Sequence, residues 1–435
     1  METAAIPTGM AGLKAAWARL APEHRFLLML LGWASFFDGY DVSIKTLALT
    51  QIRADFGLST STASALFAVI YLGALPAIWI TRRADRVGRR RMLIISVLGY
   101  TTFSGLTALA PDAGTFGTLQ FFQQLFVVAE SAIVWTMAAE ELPAESRGFG
   151  FGLLAMNAAL GTGFAAILYG GFLEPNGISW RWLYVVSVPP LLFVAWLRRK
   201  LPESRRFIAA RDNGRLADRW HAILRPPVRR WLVLVVVTTF LLQLVQQATT
   251  FTIDFLQVDR GLSASTANFM LVAAGLPGIP IMVFAGHLSD RYGRRLVGCL
   301  FAFASFIGAV GFFWLPGGVP VLLPCMSLTI IGQLGAWPTL QTYTSELFPT
   351  ALRGQAGSWS NSAAVLGRSA SLGLASVLLL SFSQSATATI LGVGPVIAIA
   401  LIAVCFPDTH GRELEEITGE DELEAFATAT AIADR

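Results

Sequence analysis

The sequence predicts an all-α integral membrane protein of twelve spanning helices in two related six-helix bundles, and three observations predict it. The first is composition: 54% of the 435 residues are hydrophobic and only 14% are charged, where soluble domains carry about 25% charge. The second is a series of twelve apolar runs, each near the roughly 20 residues that cross a hydrocarbon core. The third is internal repetition. Asp85-Arg86-Val87-Gly88-Arg89-Arg90 returns 205 residues later as Asp290-Arg291-Tyr292-Gly293-Arg294-Arg295. Glu140, Pro143, Arg147 and Gly148 return 206 residues later as Glu346, Pro349, Arg353 and Gly354, and Pro202-Glu203-Ser204 returns after 205 as Pro407-Asp408-Thr409. Three pairs sharing one period make the chain a duplication.

In chain order, residues 1–25 hold Lys14, Arg19, His24 and Arg25 but no apolar run ending in a small-residue cleavage site. They read as a cytoplasmic segment, and the first helix is expected to stay in the protein. The first bundle, 26–197, contains runs at 26–49, 60–80, 92–110, 116–138, 149–172 and 181–197. Residues 198–230 form the one long polar insert, interrupted by Pro202, Asn213-Gly214 and Pro226-Pro227, and serve as a cytoplasmic linker. The second bundle, 231–406, contains runs at 231–253, 266–286, 296–315, 319–342, 356–382 and 386–406. The tail, 407–435, is acidic and ends in a low-complexity Ala-Thr run, a composition too polar to bury a core.

Orientation follows from the basic residues. With both termini inside, 27 of the 32 Lys and Arg residues fall in cytoplasmic segments and only Arg53, Arg181 and Arg260 fall outside. Such an asymmetry fixes topology. The net charge of +4 is therefore a topology signal and not a nucleic-acid footprint. Cys299, Cys325 and Cys405 sit in or at the end of apolar runs without metal-like spacing, and read as packing residues. His24, His221, His287 and His410 form no metal-spaced cluster, and no phosphate-binding loop is present, so an integral-membrane enzyme is disfavoured. Short outer loops suggest a bacterial inner membrane, and a monomer is expected.

An ionisable group inside a membrane helix is costly unless paired, hydrated or neutralised, so each one needs a reason. Asp38, Asp41 and Lys45 are three and four residues apart in the first run, near one helical face. A carboxylate in a low-dielectric cavity favours its neutral form and can load and release a proton. Asp38, Asp41 and Glu130, the last in the middle of the fourth run, are thus the proton-coupling candidates. A static Asp41–Lys45 ion pair is the competing reading. The repeat maps Asp38 to Gln243 and Asp41 to Gln246, so the second half makes the same turn without charge. Arg368, mid-way along the eleventh run, carries a permanent charge whose planar fork suits a carboxylate; an internal salt bridge is its alternative. Lys45, Tyr40, Gln243, Gln246 and Gln247 complete the candidate substrate contacts, with ordinary interhelical hydrogen bonding an equal reading for the glutamines. Asp254, near the outer end of the seventh run, is expected at the solvated interface.

The Asp85–Arg90 loop and its second copy, running from Gly286 through Asp290 to Arg295, resemble the loop motif of the major facilitator superfamily. Thr81 stands where the first copy's small Gly is expected. The resemblance implies a conformational gate of Asp85, Arg86, Arg89, Glu140 and Arg147 in one half and Asp290, Arg291, Arg294, Glu346 and Arg353 in the other. The stretch Glu140–Gly148, Trp180-Arg181-Trp182, the Pro-Glu-Ser-Arg-Arg-Phe from Pro202, and Gly411-Arg412-Glu413-Leu414-Glu415-Glu416 resemble the sugar-porter and metabolite-symporter branches. Asp38-Gly39-Tyr40-Asp41 and Gly367-Arg368 are similar to the aromatic-acid and organic-acid proton symporters. The departures are Gln120 where an Arg is expected, and Lys45 and Glu130 at positions usually apolar or small. What the resemblance implies is transport of a small, anionic organic molecule with protons, one half rocking against the other, without metal or cofactor. A sugar or polyol carrier and an exporter of cationic drugs are the alternatives.

Overall fold

The computed structural model describes residue 17 and residues 20–142, 144–198, 228–348 and 353–407. They form twelve helical rods, which are α1 (Pro22–Leu47), α2 (Thr60–Leu72 and, after a turn, Ala77–Val87), α3 (Arg89–Thr107), α4 (Ala113–Glu141), α5 (Ala144–Leu168) and α6 (Arg181–Arg198) in the first half. The second half supplies α7 (Val228–Leu242, Gln246–Thr250 and Thr252–Val258), α8 (Ala264–Gly275 and Gly278–Tyr292), α9 (Arg294–Trp314), α10 (Val319–Glu346), α11 (Arg353–Leu378) and α12 (Gln384–Cys405). Among the described residues, eight rods or parts of rods are long and apolar enough to cross a membrane. The others, α3, α6, α8 and α11, fall short through interruption or polar content; α11, for instance, carries Asn361, Arg368 and a series of serines. Residues 199–227 of the linker and the tail from 408 onward lie outside the described residues, as does the segment before Trp17.

Three interruptions were not legible as such. The second rod, expected as one helix over 60–80, turns before Pro76, which precedes the Ala77–Val87 piece. The eighth turns likewise before Pro277, because proline cannot supply the N–H a continuing helix needs. The seventh, expected to run unbroken over 231–253, tightens into a 3-10 turn at Gln243–Val245.

The duplication is visible in local geometry. Gly88 and Gly293 both take positive φ, 119° and 89°, between consecutive helices at equivalent positions, a conformation that glycine adopts without steric cost. Ser59 accepts from the Thr62 backbone N–H at 3.1 Å, and Ser263 accepts from that of Thr266 at 3.2 Å. Each caps the first turn of the helix it precedes. A Cβ placed on Gly161 of α5 would overlap the Phe36 carbonyl of α1; one on Gly367 of α11 would lie 2.5 Å from the Phe240 carbonyl of α7. Small residues let backbones cross closely where lipid offers no hydrophobic drive for helix association.

The chain gathers into two compact units: Met1–Gly57, Gly73–Ala217 and Ser263–Asn268 in one, Leu58–Leu72, Asp218–Leu262 and Phe269–Arg435 in the other. The first unit packs Leu27, Leu28, Leu31, Leu93, Val134 and Leu154 in one core cluster. The second packs Val228, Leu232, Val235, Phe348, Ile402 and Phe406. Large apolar side chains such as Trp79, Phe193 and Val404 remain exposed, as expected where the surrounding solvent is lipid. Arg181 ties one end of the first unit together. It donates to Asp55 at 2.6 Å and to the Ala110 carbonyl at 3.2 Å, and its guanidinium lies 4.6 Å from the Trp180 ring centre. Asp112 caps α4 by accepting from the backbone N–H of Thr115 at 2.9 Å and from its hydroxyl at 2.8 Å. Those bonds, the backbone one first, hold its carboxyl below the ordinary aspartate range.

Candidate functional site

Two polar clusters stand out inside otherwise apolar rods, one in each compact unit. In the first unit, the close α1–α5 crossing at Gly39, where a Cβ would overlap the Ala158 carbonyl, seats the Asp38–Asp41 turn against its neighbours. Asp41 is 2% exposed, and its Oδ2 accepts from Gln123 Nε2 of α4 at 2.7 Å. One turn on, Lys45 is 5% exposed and donates to Gln124 Oε1 at 2.9 Å. Asp38, half-buried, accepts from the Ser131 hydroxyl at 2.5 Å. The stripe Gln123, Gln124 and Ser131 on α4 therefore meets the charged face of α1 residue by residue, as antiparallel helices allow. Glu130 is 1% exposed and interacts electrostatically with Asp41. Tyr100 of α3 donates to the Phe37 carbonyl at 3.2 Å and lies beside Asp41.

This geometry bears on the competing ion-pair reading and on Tyr40. The Asp41–Lys45 ion pair does not form; each charge binds its own glutamine instead, because α4 presents two amides in register with them. Tyr40, expected among the substrate contacts, is fully buried, and its hydroxyl donates to the Leu183 carbonyl of α6 at 2.7 Å, an interhelical tie.

The second unit holds Arg368. Its Nε donates to Gln243 Oε1 at 2.9 Å, and among the described residues that is the one hydrogen bond the guanidinium makes. Both terminal nitrogens of the fork remain available, and the side chain is only half-buried. The 3-10 turn at Gln243–Val245 presents Gln243 to α11 at the point where Gly367 lets the two rods approach. Beside it, Gln246 donates to Thr250 Oγ1 at 2.9 Å and, at 3.4 Å, to the hydroxyl of Tyr71, which interacts electrostatically with Arg368. Gln247 is fully buried; its backbone N–H donates to Ser371 Oγ at 3.0 Å. Asp254, expected at the solvated interface, is instead fully buried and accepts from Gln384 at 3.2 Å, since the start of α12 covers it.

Among the gate residues, Arg89, Arg291 and Arg294 are described, with Arg291 5.5 Å from the Tyr292 ring centre. The side chains of Asp85, Arg86, Glu140, Arg147, Asp290, Glu346 and Arg353 lie outside the described residues. Gln123, Gln124, Ser131 and Tyr71 were not singled out from sequence. The first two carried a signal, since with Gln120 they put three amides on one helical face of an apolar run.

The major facilitator superfamily model matches residues 31–372 and again 237–433. A niacin transporter, NiaP, of Acinetobacter baylyi is 24% identical over 432 residues, covering 91% of this chain and 96% of that protein. A cis,cis-muconate transport protein of the same species is 27% identical over 340 residues, covering 74% of this chain and 80% of that one. Among solved structures, a D-xylose-proton symporter superposes with a TM-score of 0.72 at 20% identity, over 89% of this chain and 99% of that one. It shares the fold.

Proposed function

The chain belongs to the major facilitator superfamily, and from that premise we propose that it is a secondary active transporter that takes up a small organic anion together with protons by alternating access. The observation that carries the reading is Arg368, an intramembrane guanidinium anchored through Nε by Gln243 with its fork uncommitted. Two parallel N–H donors match the two oxygens of a carboxylate, and charge-assisted bonds of this kind are about twice as strong as neutral ones. Niacin and cis,cis-muconate, which the named relatives carry, are both carboxylates in water at neutral pH. Asp41 is the proton carrier: a buried acid held by a neutral amide gains or loses one proton without disrupting an ion pair. Asp38 and Glu130 share the same charge environment and set when Asp41 releases its proton. Lys45, one turn from Asp41, acts as the local counter-charge. The distribution of basic residues supports cytoplasmic termini, and the short outer loops support a bacterial inner membrane.

A sugar or polyol is the second reading, favoured by Gln246, Tyr71 and Thr250 beside Arg368. Both are tested by one panel. Purified protein in proteoliposomes is offered radiolabelled niacin, muconate, xylose and a tetraalkylammonium cation, with and without an inward proton gradient. The proposal expects gradient-stimulated accumulation of the carboxylates and none of xylose or the cation. Gradient-stimulated accumulation of xylose alone replaces it with the sugar reading.

A further inference from the structure

We infer that a file of buried water, held by the amides and hydroxyls between Thr107 and Asp41, carries protons to Asp41 from the end of the first unit marked by Asp112. The inference rests on the reading of Asp41 as proton carrier, and adds the route and the residues that form it.

Helix α4 begins at Ala113 beside Asp112, and Gln120 and Gln123 lie roughly 10 and 15 Å farther along it at 1.5 Å per residue. Helix α3 ends at Thr107, one residue from the same loop. Gln120 donates through Nε2 to Thr107 Oγ1 at 3.0 Å, and Gln123 donates through Nε2 to Asp41 at 2.7 Å. Each amide thus commits one of its two N–H donors to protein, Gln120 to Thr107 and Gln123 to the acid. Among the described residues, the two carbonyl oxygens and the second carboxylate oxygen have no partner: Gln120 Oε1, Gln123 Oε1 and Asp41 Oδ1 are all buried acceptors without a donor. Gln120, Gln123 and Thr107 are fully buried and Asp41 nearly so. Leaving such atoms dry costs about 1 to 3 kcal/mol each, and the usual remedy in a protein interior is an ordered water with two to four polar partners. Tyr184 of α6 adds a fourth: its buried hydroxyl makes no hydrogen bond among the described residues, and it interacts electrostatically with Asp41.

The direction of these groups matters. Three orphaned acceptors in a row, each a carbonyl or carboxylate oxygen, call for molecules that donate, and water bridging them supplies donors in sequence. A proton entering at Thr107 moves by exchange along the waters, each O–H bond forming as the next breaks, and ends on Asp41 as a carboxylic acid O–H. The charge leaves again by the reverse exchange on whichever side Asp41 meets bulk water. The titratable groups that interact with Asp41 are Tyr40 and Lys45 on its own helix, Glu130 on α4, Tyr100 on α3 and Tyr184 on α6, with Asp38 one turn before it. The Gln120–Thr107 contact itself joins two neutral groups.

The test is infrared difference spectroscopy on the full chain in lipid, which needs no transported ligand. A protonated carboxylic C=O band that disappears in Asp41→Asn identifies the acid, and its downshift after a rapid switch to D2O reports how fast water-borne protons reach it. Gln120→Met and Thr107→Val keep volume and remove the polar stage. Each is expected to slow the downshift about tenfold or more, the factor for one lost hydrogen bond in the barrier. An unchanged exchange rate in both folded variants overturns the water path while leaving Asp41 as carrier. Collapse of folding in both shows the amides to be structural ties, and also overturns it. Absence of any band assignable to Asp41 removes the carrier reading itself.

Discussion

Replacing Arg368 tests the substrate class directly. In the structure one of its nitrogens is committed to Gln243 and the two terminal ones are not, so a bound carboxylate meets a donor pair already oriented. Truncating one partner of a buried charge-assisted pair costs about 2 to 5 kcal/mol, and at 1.4 kcal/mol per tenfold even the lower figure weakens apparent affinity about thirtyfold. Arg368→Ala is therefore expected to raise the KM for carboxylate uptake by at least that factor. Arg368→Lys keeps the charge but loses the fork and the Nε bond to Gln243, and is expected to fall between wild type and alanine. Gln243→Glu adds a sharper arm. Its carboxylate would pair with the guanidinium at Nε, neutralise the charge that attracts the substrate and weaken uptake without replacing the cation itself. The assay is initial-rate uptake into proteoliposomes across a concentration series, with thermal unfolding as the control for folding. Normal expression of Arg368→Ala with near wild-type KM would sink the organic-anion assignment.

Asp41→Asn is expected to abolish gradient-driven accumulation while sparing substrate exchange, which moves no net proton; loss of both, with folded protein, would make Asp41 structural. Glu130→Gln should shift the pH dependence of uptake, because it removes a charge that acts on Asp41, and an identical pH profile would take Glu130 out of the proton site. Gly161→Leu places a side chain against the Phe36 carbonyl and should lower the unfolding temperature or prevent assembly, whereas Gly152→Leu, where a Cβ meets nothing within 4 Å, should be tolerated. Asp112→Asn keeps the cap and drops the charge. Since the native carboxyl lies below its ordinary range, its contribution is present at neutral pH and is lost as pH falls through the depressed value. The variant's unfolding temperature should therefore fall less on acidification than that of wild type.

The fold was readable because bilayer-spanning segments announce themselves by length and apolarity, and because duplication supplies an internal second copy of each turn. The matched positive-φ glycines at Gly88 and Gly293 put that repetition into backbone geometry. The site was readable only where a charge stood out against apolar neighbours, as at Asp38, Asp41, Glu130 and Arg368. Partners were not, for two physical reasons. A glutamine in a membrane helix can bond any nearby helix, so Gln123 and Gln124 gained meaning only when α4 was seen to lie in register with Asp41 and Lys45. Tyr71 looks like any aromatic in an apolar run until its hydroxyl is found on Gln246. Asp254 misled for a related reason, since position along a rod does not reveal that the start of a distant helix covers it.

The duplication also bears on why the charges sit where they do. The positions that carry Asp38 and Asp41 in the first half carry Gln243 and Gln246 in the second, and those glutamines occupy the second cluster, one of them holding Arg368. Conversely, the first-half counterpart of Arg368 is Thr162, which donates to the Gly39 carbonyl at 3.0 Å and supports the acidic turn. One ancestral crossing has therefore been used twice with opposite chemistry, an acid hydrogen-bonded to a neutral amide and a base hydrogen-bonded to a neutral amide. Burying either charge beside a fixed ion partner would have satisfied the membrane at less cost. Leaving each with neutral amides keeps both charges responsive to what arrives, a proton in one unit and an anion in the other. If that is the purpose of the arrangement, Gln123→Arg should lock Asp41 into an ion pair and uncouple transport from the proton gradient even though it improves local charge balance. Gradient-driven uptake that survives this substitution, in folded protein, would refute the argument.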